Sequence, residues 1–354
     1  RGNSGRRALL HTDDSQTTNL ADTTIKEVAR LAGVSTATVS RCNTTPEKDT
    51  EQTQLKVQSA IESTGYTPNS LAQRFRSGKT NQILVAVPSI GDPFFTKVMR
   101  GVRSAANALG YAIVIRETRQ GMMSADEINA TLESKQADGL VLLNNMTYVA
   151  GRLNGTKRPI KQPPAVQIDN AAAAQEMTKY LIGQGHRQIG MICGRKKPSF
   201  AERERGFRNT MREAKLKIPE SWILDSENSI DAARSAARQI LKCRNQPTAV
   251  FCVSDELAIG CMHEFQLAGL RVPDDISVVG FDDIRYAEVT NPPLTTVRQP
   301  AEEMGEQIVQ KLCAAIEDVM PGKSEPQVVS HQLVTRRSVA PPKSLNPLPD
   351  DVAR

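Results

Sequence analysis

From Gln82 to Gly280 the chain alternates short, uninterrupted apolar runs with stretches of helical period. The runs are 83–87 (ILVAV), 111–115 (YAIVI), 139–143 (GLVLL), 189–192 (IGMI), 249–252 (AVFC) and 276–280 (ISVVG), with a weaker one at 222–224 (WIL). Helices are expected over 95–109, 124–137, 171–184, 200–215, 230–243, 255–268 and 300–319, with further strands near 326–335. A run that is apolar at every position must be covered on both faces. Parallel sheets flanked by helices meet that requirement. The alternation lapses after Leu143 and restarts near Ile168, so the chain predicts two α/β units in tandem.

Tandem parallel sheets place the ends of their strands around a cleft, where small ligands bind. The stretches that follow the runs are Ser89 to Phe95, Cys193 to Arg203, Ser254-Asp255 and Phe281-Asp282-Asp283. Carboxylates and an arginine beside aromatics suit a hydroxyl-rich or heterocyclic ligand. For Asp255 the competing role is helix capping.

Ahead of the α/β region the texture is different. Ile25, Val28, Ala29 and Ala32 recur at helical spacing and form one apolar stripe. Gly33 suits the left-handed end of that helix. Val34 reads as a buried plug, and Ser35 as the N-cap of a second helix through Arg41. On that second helix only Val39 is strongly apolar. Small hydroxyls and one arginine suit a surface pressed into a DNA major groove, where Arg41 can offer two donors to a guanine edge. Thr50 is expected to cap a third helix that ends at Gly65. Residues 65–82 then form a linker with a conditional helix, in which Asn69 is a possible cap. Phe75, between Arg74 and Arg76, reads either as a wedge for a minor groove or as packing against the next domain.

A formal charge of +6 permits nucleic acid without requiring it, and residues 1–80 hold 11 Lys and Arg against 8 Asp and Glu. The six cysteines are scattered singly and only four histidines are present, which argues against a disulfide scaffold or a metal centre. No run of apolar residues is long enough to span a bilayer, so a cytoplasmic protein without a membrane partner is expected. The nucleophile elbow, HExxH, GxxxxGK[ST] and GxGxxG are all absent, and Pro93 removes a backbone donor where a phosphate loop would need one. No catalytic constellation can be assembled.

The chain resembles the lac/gal repressor family of bacterial transcription regulators over residues 24 to about 338. The N-terminal marks are Thr24-Ile25-Lys26-Glu27-Val28-Ala29, the segment Gly33 to Arg41, and Gly65-Tyr66-x-Pro68-Asn69. Later marks are Asp92-Pro93-Phe94-Phe95, Ala137-Asp138-Gly139-Leu140, Asp169-Asn170, Gly185-His186-Arg187-x-Ile189-Gly190 and Arg203-x-x-Gly206-Phe207. The C-terminal part adds Gly280-Phe281-Asp282-Asp283, Pro293-Leu294-Thr295-Thr296, Gln299-Pro300 and Arg336-x-Ser338. Within the family it looks most like the cytidine (nucleoside) and purine repressors.

The resemblance implies a small all-α helix-turn-helix headpiece followed by an α/β core like the periplasmic binding proteins, built of two parallel-sheet subdomains. It implies a repressor that binds a palindromic DNA operator as a homodimer or higher oligomer, with no cofactor and no catalysis. Its effector would be a nucleoside, purine or sugar. Thr36, Ala37 and Arg41 match base-reading positions. Ile25, Ser35, Thr38, Thr50, Thr53, Tyr66 and Asn69 match positions that contact or order the phosphate backbone, and Phe75 matches the hinge-helix wedge. Effector positions map onto Asp92, Phe94, Phe95, Arg203 and Asp282, with Ser254 and Asp255 second. The implied division is a disordered leader 1–23, headpiece 24–68, hinge 69–80, effector and dimerisation domain 81–340, and a disordered tail 341–354. Within the large domain the first subdomain takes about 81–165 and 293–320, and the second about 166–292 and 321–340.

Three departures stand out. Asn43 and Asp49 occupy positions where the family has core aliphatics, and Asn228 one where relatives put a ligand-stacking aromatic. The segment 144–167 is shorter than in relatives by the equivalent of a strand, for which 156–166 is a partial substitute. Two other classes fit parts of the chain: a small-molecule-binding protein that regulates no gene, and an α/β enzyme.

Overall fold

A computed structural model describes residues 24–44, 46–67, 79–118, 122–151, 165–194, 197–317 and 326–343. The chain divides into two units at Gly78 and Lys79. The expected leader, Asn69, Phe75 and most of the hinge lie outside the described residues.

The first unit holds helices α1 (Ile25–Ala32), α2 (Thr36–Thr44) and α3 (Glu51–Thr64). Its core consists of Val28, Ala29, Ala32, Val39, Val57 and Ala60, with Ile25, Val34, Cys42, Ile61 and Tyr66 packed against it. Gly33 ends α1 in the left-handed conformation, φ 66°, and its N–H returns to the carbonyls of Ala29 and Arg30. Val34 is half-buried rather than a sealed plug. The Ser35 hydroxyl caps α2 by accepting from the Thr38 N–H at 3.1 Å. The helix continues past Arg41 to Thr44. Thr50 precedes α3 as expected but makes no side-chain cap. Its hydroxyl instead meets that of Thr53 at 2.9 Å, a local partner that competes with the backbone.

The second unit opens with a four-stranded sheet in the order β2-β1-β3-β4. Its strands are β1 (Gln82–Val87), β2 (Ala112–Glu117), β3 (Gly139–Leu142) and β4 (Thr147–Ala150). Strands β1, β2 and β3 run parallel, while β4 pairs antiparallel with β3. The short segment after Leu143 was expected to leave the sheet one strand poorer, with repair from 156–166. Residues 147–150 supply a fourth strand, directly after a turn that lets the chain fold back on β3, and most of 156–166 lies outside the described residues. Residues 152–164 lie outside the described set. Helices α4 (Pro93–Ala108) and α5 (Ala125–Glu133) connect the strands.

The second sheet has the order β7-β6-β8-β9, all parallel: β6 (Ile189–Cys193), β7 (Ile223–Asp225), β8 (Ala249–Cys252) and β9 (Ser277–Val279). Helices α6 (Asn170–Gly183), α7 (Pro198–Glu213), α8 (Ile230–Leu241) and α9 (Asp255–Leu267) accompany it. Phe207, Phe251, Phe265 and Phe281 are the largest side chains fully enclosed.

Three passages of chain join the sheets. Strand β5 (Val166–Ile168) leads from the first to the second and pairs in parallel with β11 (Gln327–Val329). Strand β10 (Thr296–Arg298) leads back and pairs antiparallel with β12 (Gln332–Val334). Between β10 and β11, helix α10 (Ala301–Ile316) returns to the first sheet and packs on α4. The approach is close because both helices carry glycine at the crossing. A Cβ on Gly101 would lie 1.8 Å from the Glu302 carbonyl oxygen, and one on Gly305 2.1 Å from that of Val98. Of the tail expected to be disordered from Pro341, residues 341–343 are described. Ala340 donates to the Ser277 hydroxyl and Lys343 pairs with Asp275, which fastens this stretch to the second sheet.

Candidate functional site

Buried polar groups gather beside the crossing passages. A cleft there, open to solvent, spans about 780 Å³. One wall carries Asp92, Phe94 and Phe95 from the start of α4, with Asn144, Asn145 and Met146 after β3. The other carries Lys197, Phe200, Glu202 and Arg203 from α7, with Asn170, Asn228 and Asp282. Gln299, just after β10, completes it.

Helix starts place the side chains on the first wall. Asp92 caps α4, its Oδ1 accepting from the Phe94 N–H at 2.9 Å, and Pro93 fills the first helical turn where no amide donor is required. Phe94 and Phe95 then meet edge to face, with centroids 5.3 Å apart.

Arg203 is the centre of the second wall and is nearly sealed from solvent. Its Nε donates to Asn170 Oδ1 at 2.9 Å, and its Nη1 to the Val253 carbonyl at 2.5 Å and to Asp282 Oδ1 at 3.4 Å. Gln299 Nε2 donates to the same Asp282 oxygen at 2.6 Å. The guanidinium also stacks on Phe281, 3.5 Å from the ring centroid. A buried cation survives only when its charge and most of its donors are met; Asp282 supplies the countercharge, and Nε and Nη1 have acceptors.

Burial pushes the Asp282 carboxyl up to about 6, with Arg203 opposing the rise. Burial likewise raises Asp92, against the pull of Lys197. Lys197 is itself lowered by burial, while Asp92 and Asp282 resist that. Its ammonium lies over the Phe200 ring at 4.8 Å and near that of Phe95 at 5.9 Å. The cleft thus holds two cations, Lys197 and Arg203, and three carboxylates, Asp92, Glu202 and Asp282, between aromatic faces. Such a lining offers hydrogen-bond partners for hydroxyls beside flat aromatic faces.

Two sequence candidates lie elsewhere. Ser254 and Asp255 do not line the cleft. Ser254 caps α9 through the Leu257 N–H at 3.3 Å and donates to Asn228 Oδ1 at 2.5 Å, so it orients a lining residue from behind. Asp255 was expected to cap, but it is fully buried and braces the crossing. Its Oδ2 accepts from the Ile284 N–H at 2.8 Å and its Oδ1 from the Thr296 hydroxyl at 2.5 Å. Lys197, Asn170 and Gln299 went unnamed as ligand positions. Each lay inside a stretch already marked, at 193–203, Asp169-Asn170 and Gln299-Pro300, but only the fold turns them to one side.

Beside the cleft, Asp283 ties the crossing passages together. It accepts from Arg298 Nε at 2.6 Å and Arg336 Nη2 at 2.7 Å, while Lys97 of α4 donates to its carbonyl. Burial alone would raise this carboxyl. Hydrogen bonds from the two arginines outweigh burial and hold it below its ordinary range.

On the first unit, Ser35, Thr36, Ala37, Arg41 and Thr50 are exposed, and Ile25, Thr38, Thr53 and Tyr66 are half-buried. Arg41 is held by Asp49 in a two-pronged ion pair. Asn43 is exposed, whereas the Asp49 side chain is enclosed. No helix among the described residues is long and apolar enough to cross a membrane.

Residues 24–69 match the family of bacterial regulatory proteins of lacI type, and residues 178–339 the periplasmic binding protein-like domain. The chain is 33% identical over 294 residues to the HTH-type transcriptional repressor CytR of Escherichia coli K12, covering 80% of this chain and 86% of that protein. The chain belongs to the lacI family of bacterial regulatory proteins. A second family member, the HTH-type transcriptional repressor PurR of Vibrio campbellii, is 36% identical over 308 residues, 83% of this chain and 92% of its own. Among solved structures, the transcriptional regulator CelR–cellobiose complex superposes with a TM-score of 0.64 at 27% identity, over 89% of this chain and 99% of that one. The lac repressor dimer bound to operator and an anti-inducer superposes at 0.75 with 22% identity, over 90% and 99%, and so shares the fold.

Proposed function

We propose that this protein is a dimeric transcriptional repressor without catalytic activity, whose first unit reads a palindromic operator and whose cleft takes a nucleoside as effector. The observation that carries the effector class is the Arg203–Asp282 pair facing Asp92 between Phe94 and Phe200. Adjacent ribose hydroxyls can donate to a carboxylate and accept from a guanidinium at once. The base supplies the flat surface that Phe94, Phe200 and the Lys197 stem enclose. A free sugar satisfies the first group but not the second.

On the first unit, Thr36, Ala37 and Arg41 read base edges. Ile25, Ser35, Thr38, Thr50, Thr53, Tyr66 and Asn69 contact or order the phosphate backbone, and Phe75 wedges into the minor groove. The division into headpiece 24–68, hinge 69–80 and effector domain 81–340 belongs to the same reading. Effector and operator are coupled through the crossing passages. A differential affinity of about 1–3 kcal/mol between two arrangements of the subdomains would change operator occupancy roughly 5- to 150-fold.

Isothermal titration of the full chain against cytidine, adenosine, hypoxanthine, ribose and cellobiose tests the effector class. A nucleoside should bind at least tenfold more tightly than ribose. Binding of cellobiose or ribose in preference to every nucleoside would overturn the assignment. Gel shifts with and without the bound nucleoside test the coupling, and an unchanged operator affinity would defeat it.

A further inference from the structure

The turn that carries Asp282 has an uncommon backbone. Asp282 lies at φ 111° and Asp283 at φ 52°, two consecutive non-glycine residues on the left-handed side. Residues with a Cβ rarely adopt such angles, so the conformation persists only where surrounding contacts over-determine it. Several contacts do. The Asp282 N–H donates to the Val297 carbonyl at 2.8 Å, and the Ile284 N–H to Asp255 Oδ2 at 2.8 Å. Arg298 and Arg336 hold the Asp283 carboxylate. These partners all belong to the second subdomain or to the crossing passages.

Lys97 does not. It stands on α4 and donates its ammonium to the Asp283 carbonyl. Among the described residues, this is the one hydrogen bond that ties residues 281–284 to a helix of the first subdomain. The same helix meets the cleft. Asp92, Phe94 and Phe95 line the ligand space, while Pro93, Lys97 and Arg100, at i, i+4 and i+7, line a neighbouring groove opposite Ile284 and Tyr286. Helix α4 and the Asp282 turn are therefore bridged by Lys97, and an effector lying between Phe94 and Asp282 would bridge them a second time.

We infer that Lys97 is a positioning residue for the effector cleft: by holding the Asp283 carbonyl from α4, it fixes the turn that aims the Asp282 carboxylate at Arg203. The inference rests on the cleft being the effector site, as proposed above. Two walls whose spacing is set in advance have less freedom to lose when a ligand binds between them. Because the ammonium stands on α4, a shift of that helix pulls on the residue next to the effector carboxylate. Lys97 thus belongs to the coupling between the contents of the cleft and the arrangement of the subdomains.

The test uses the full chain as wild type, Lys97→Met and Lys97→Arg. Hydrogen exchange is followed by mass spectrometry without ligand, cytidine and adenosine are titrated by calorimetry, and melting is followed by circular dichroism. Lys97→Met keeps most of the stem and removes the donor. It should speed exchange about tenfold in peptides covering 280–284 and leave those covering α5 and α8 at wild-type rates. It should also weaken the tighter-binding nucleoside about tenfold. Lys97→Arg restores a donor and should recover most of both. Wild-type exchange at 280–284 in Lys97→Met would overturn the inference, as would exchange raised evenly across both subdomains with a lower melting temperature. If Lys97→Met binds the nucleoside as tightly as wild type does, this inference alone fails. If wild type binds neither nucleoside, the reading beneath fails, and exchange at 280–284 still decides whether Lys97 holds the turn.

Discussion

The Arg203 guanidinium rests 3.5 Å from the centre of the Phe281 ring and reaches the carboxylate of the next residue, Asp282, at 3.4 Å. The cation is thus held by two neighbours in sequence that act in different ways, one by its π face and one by its charge. Asn170 and the Val253 carbonyl supply the remaining fixed acceptors. Removing the cation leaves Asp282 buried with Gln299 as its neighbour. Arg203→Met should therefore destabilise the second unit by about 3–5 kcal/mol. Urea denaturation followed by tryptophan fluorescence measures it, since Trp222 is the sole tryptophan and is buried in the second subdomain. A cost below about 1 kcal/mol would mean that the pair is not needed to hold the crossing.

The same carboxylate predicts a pH dependence. Burial raises Asp282 from 3.8 to about 6, so the folded state keeps this proton to higher pH than the unfolded chain does. Its contribution to stability is fully present below about pH 4 and is lost as pH rises through about 6. The change is roughly 3 kcal/mol across that window. Asn cannot ionise. The stability of Asp282→Asn relative to wild type should therefore improve by that amount between pH 4 and pH 7. A difference that stays flat with pH would contradict the assignment.

Effector binding should show the opposite trend. Hydroxyls that donate to Asp282 and Asp92 favour the ionised carboxylates. Affinity for a nucleoside should rise from pH 5 to pH 7, with proton release upon binding near pH 6. Titration in two buffers of different ionisation enthalpy reads the release directly, and its absence would place the ligand's hydroxyls on other partners.

The crossing of α4 and α10 gives a sharp steric test. Gly305→Ala places a methyl 2.1 Å from the Val98 carbonyl oxygen, where the neighbour is helix backbone and cannot turn aside. A loss of about 1–3 kcal/mol or more is expected. Gly183→Ala serves as the control: it ends α6, has nothing within 4 Å of the added Cβ, and should be neutral or up to about 1 kcal/mol stabilising. Equal effects of the two substitutions in a urea titration would defeat the argument.

In the first unit, Val39 is completely enclosed between α1, α2 and α3. Val39→Ala should cost roughly 2 kcal/mol, a large fraction of what so small a core supplies. The headpiece should then melt well before the second unit in calorimetry. Coincident transitions would show that its stability comes from elsewhere.

Local chemistry was legible in the residues themselves. Gly33 after an apolar stripe, Ser35 ahead of a short helix, and the apolar runs that became β1, β3, β6 and β8 each needed no distant partner. Thr50 carried the same kind of signal and did not cap, because Thr53 offered its hydroxyl a nearer partner. What depended on remote contacts was not legible. Asp255 reads as a cap until the fold brings Ile284 and Thr296 to it. The short segment after Leu143 reads as a lost strand until it folds back on β3 as β4. Lys197 is one of several residues in the stretch 193–203 until the fold turns it into the cleft, within the fields of Asp92 and Asp282. Asp49 reads as a defect in a small core until Arg41 is seen lying along it.

The return of α10 to the first sheet has a consequence for synthesis. The face of α4 that receives α10 leaves the ribosome roughly 200 residues before its partner does. At ordinary elongation rates that interval is roughly 10–40 s. Throughout it the first subdomain lacks the helix that covers Gly101 and Gly139, while the second subdomain has every strand of its sheet by Val279. The nascent chain therefore matures out of order, with its middle complete before its beginning. A truncation before Ala301 leaves an unsealed apolar face for chaperones and proteases to find.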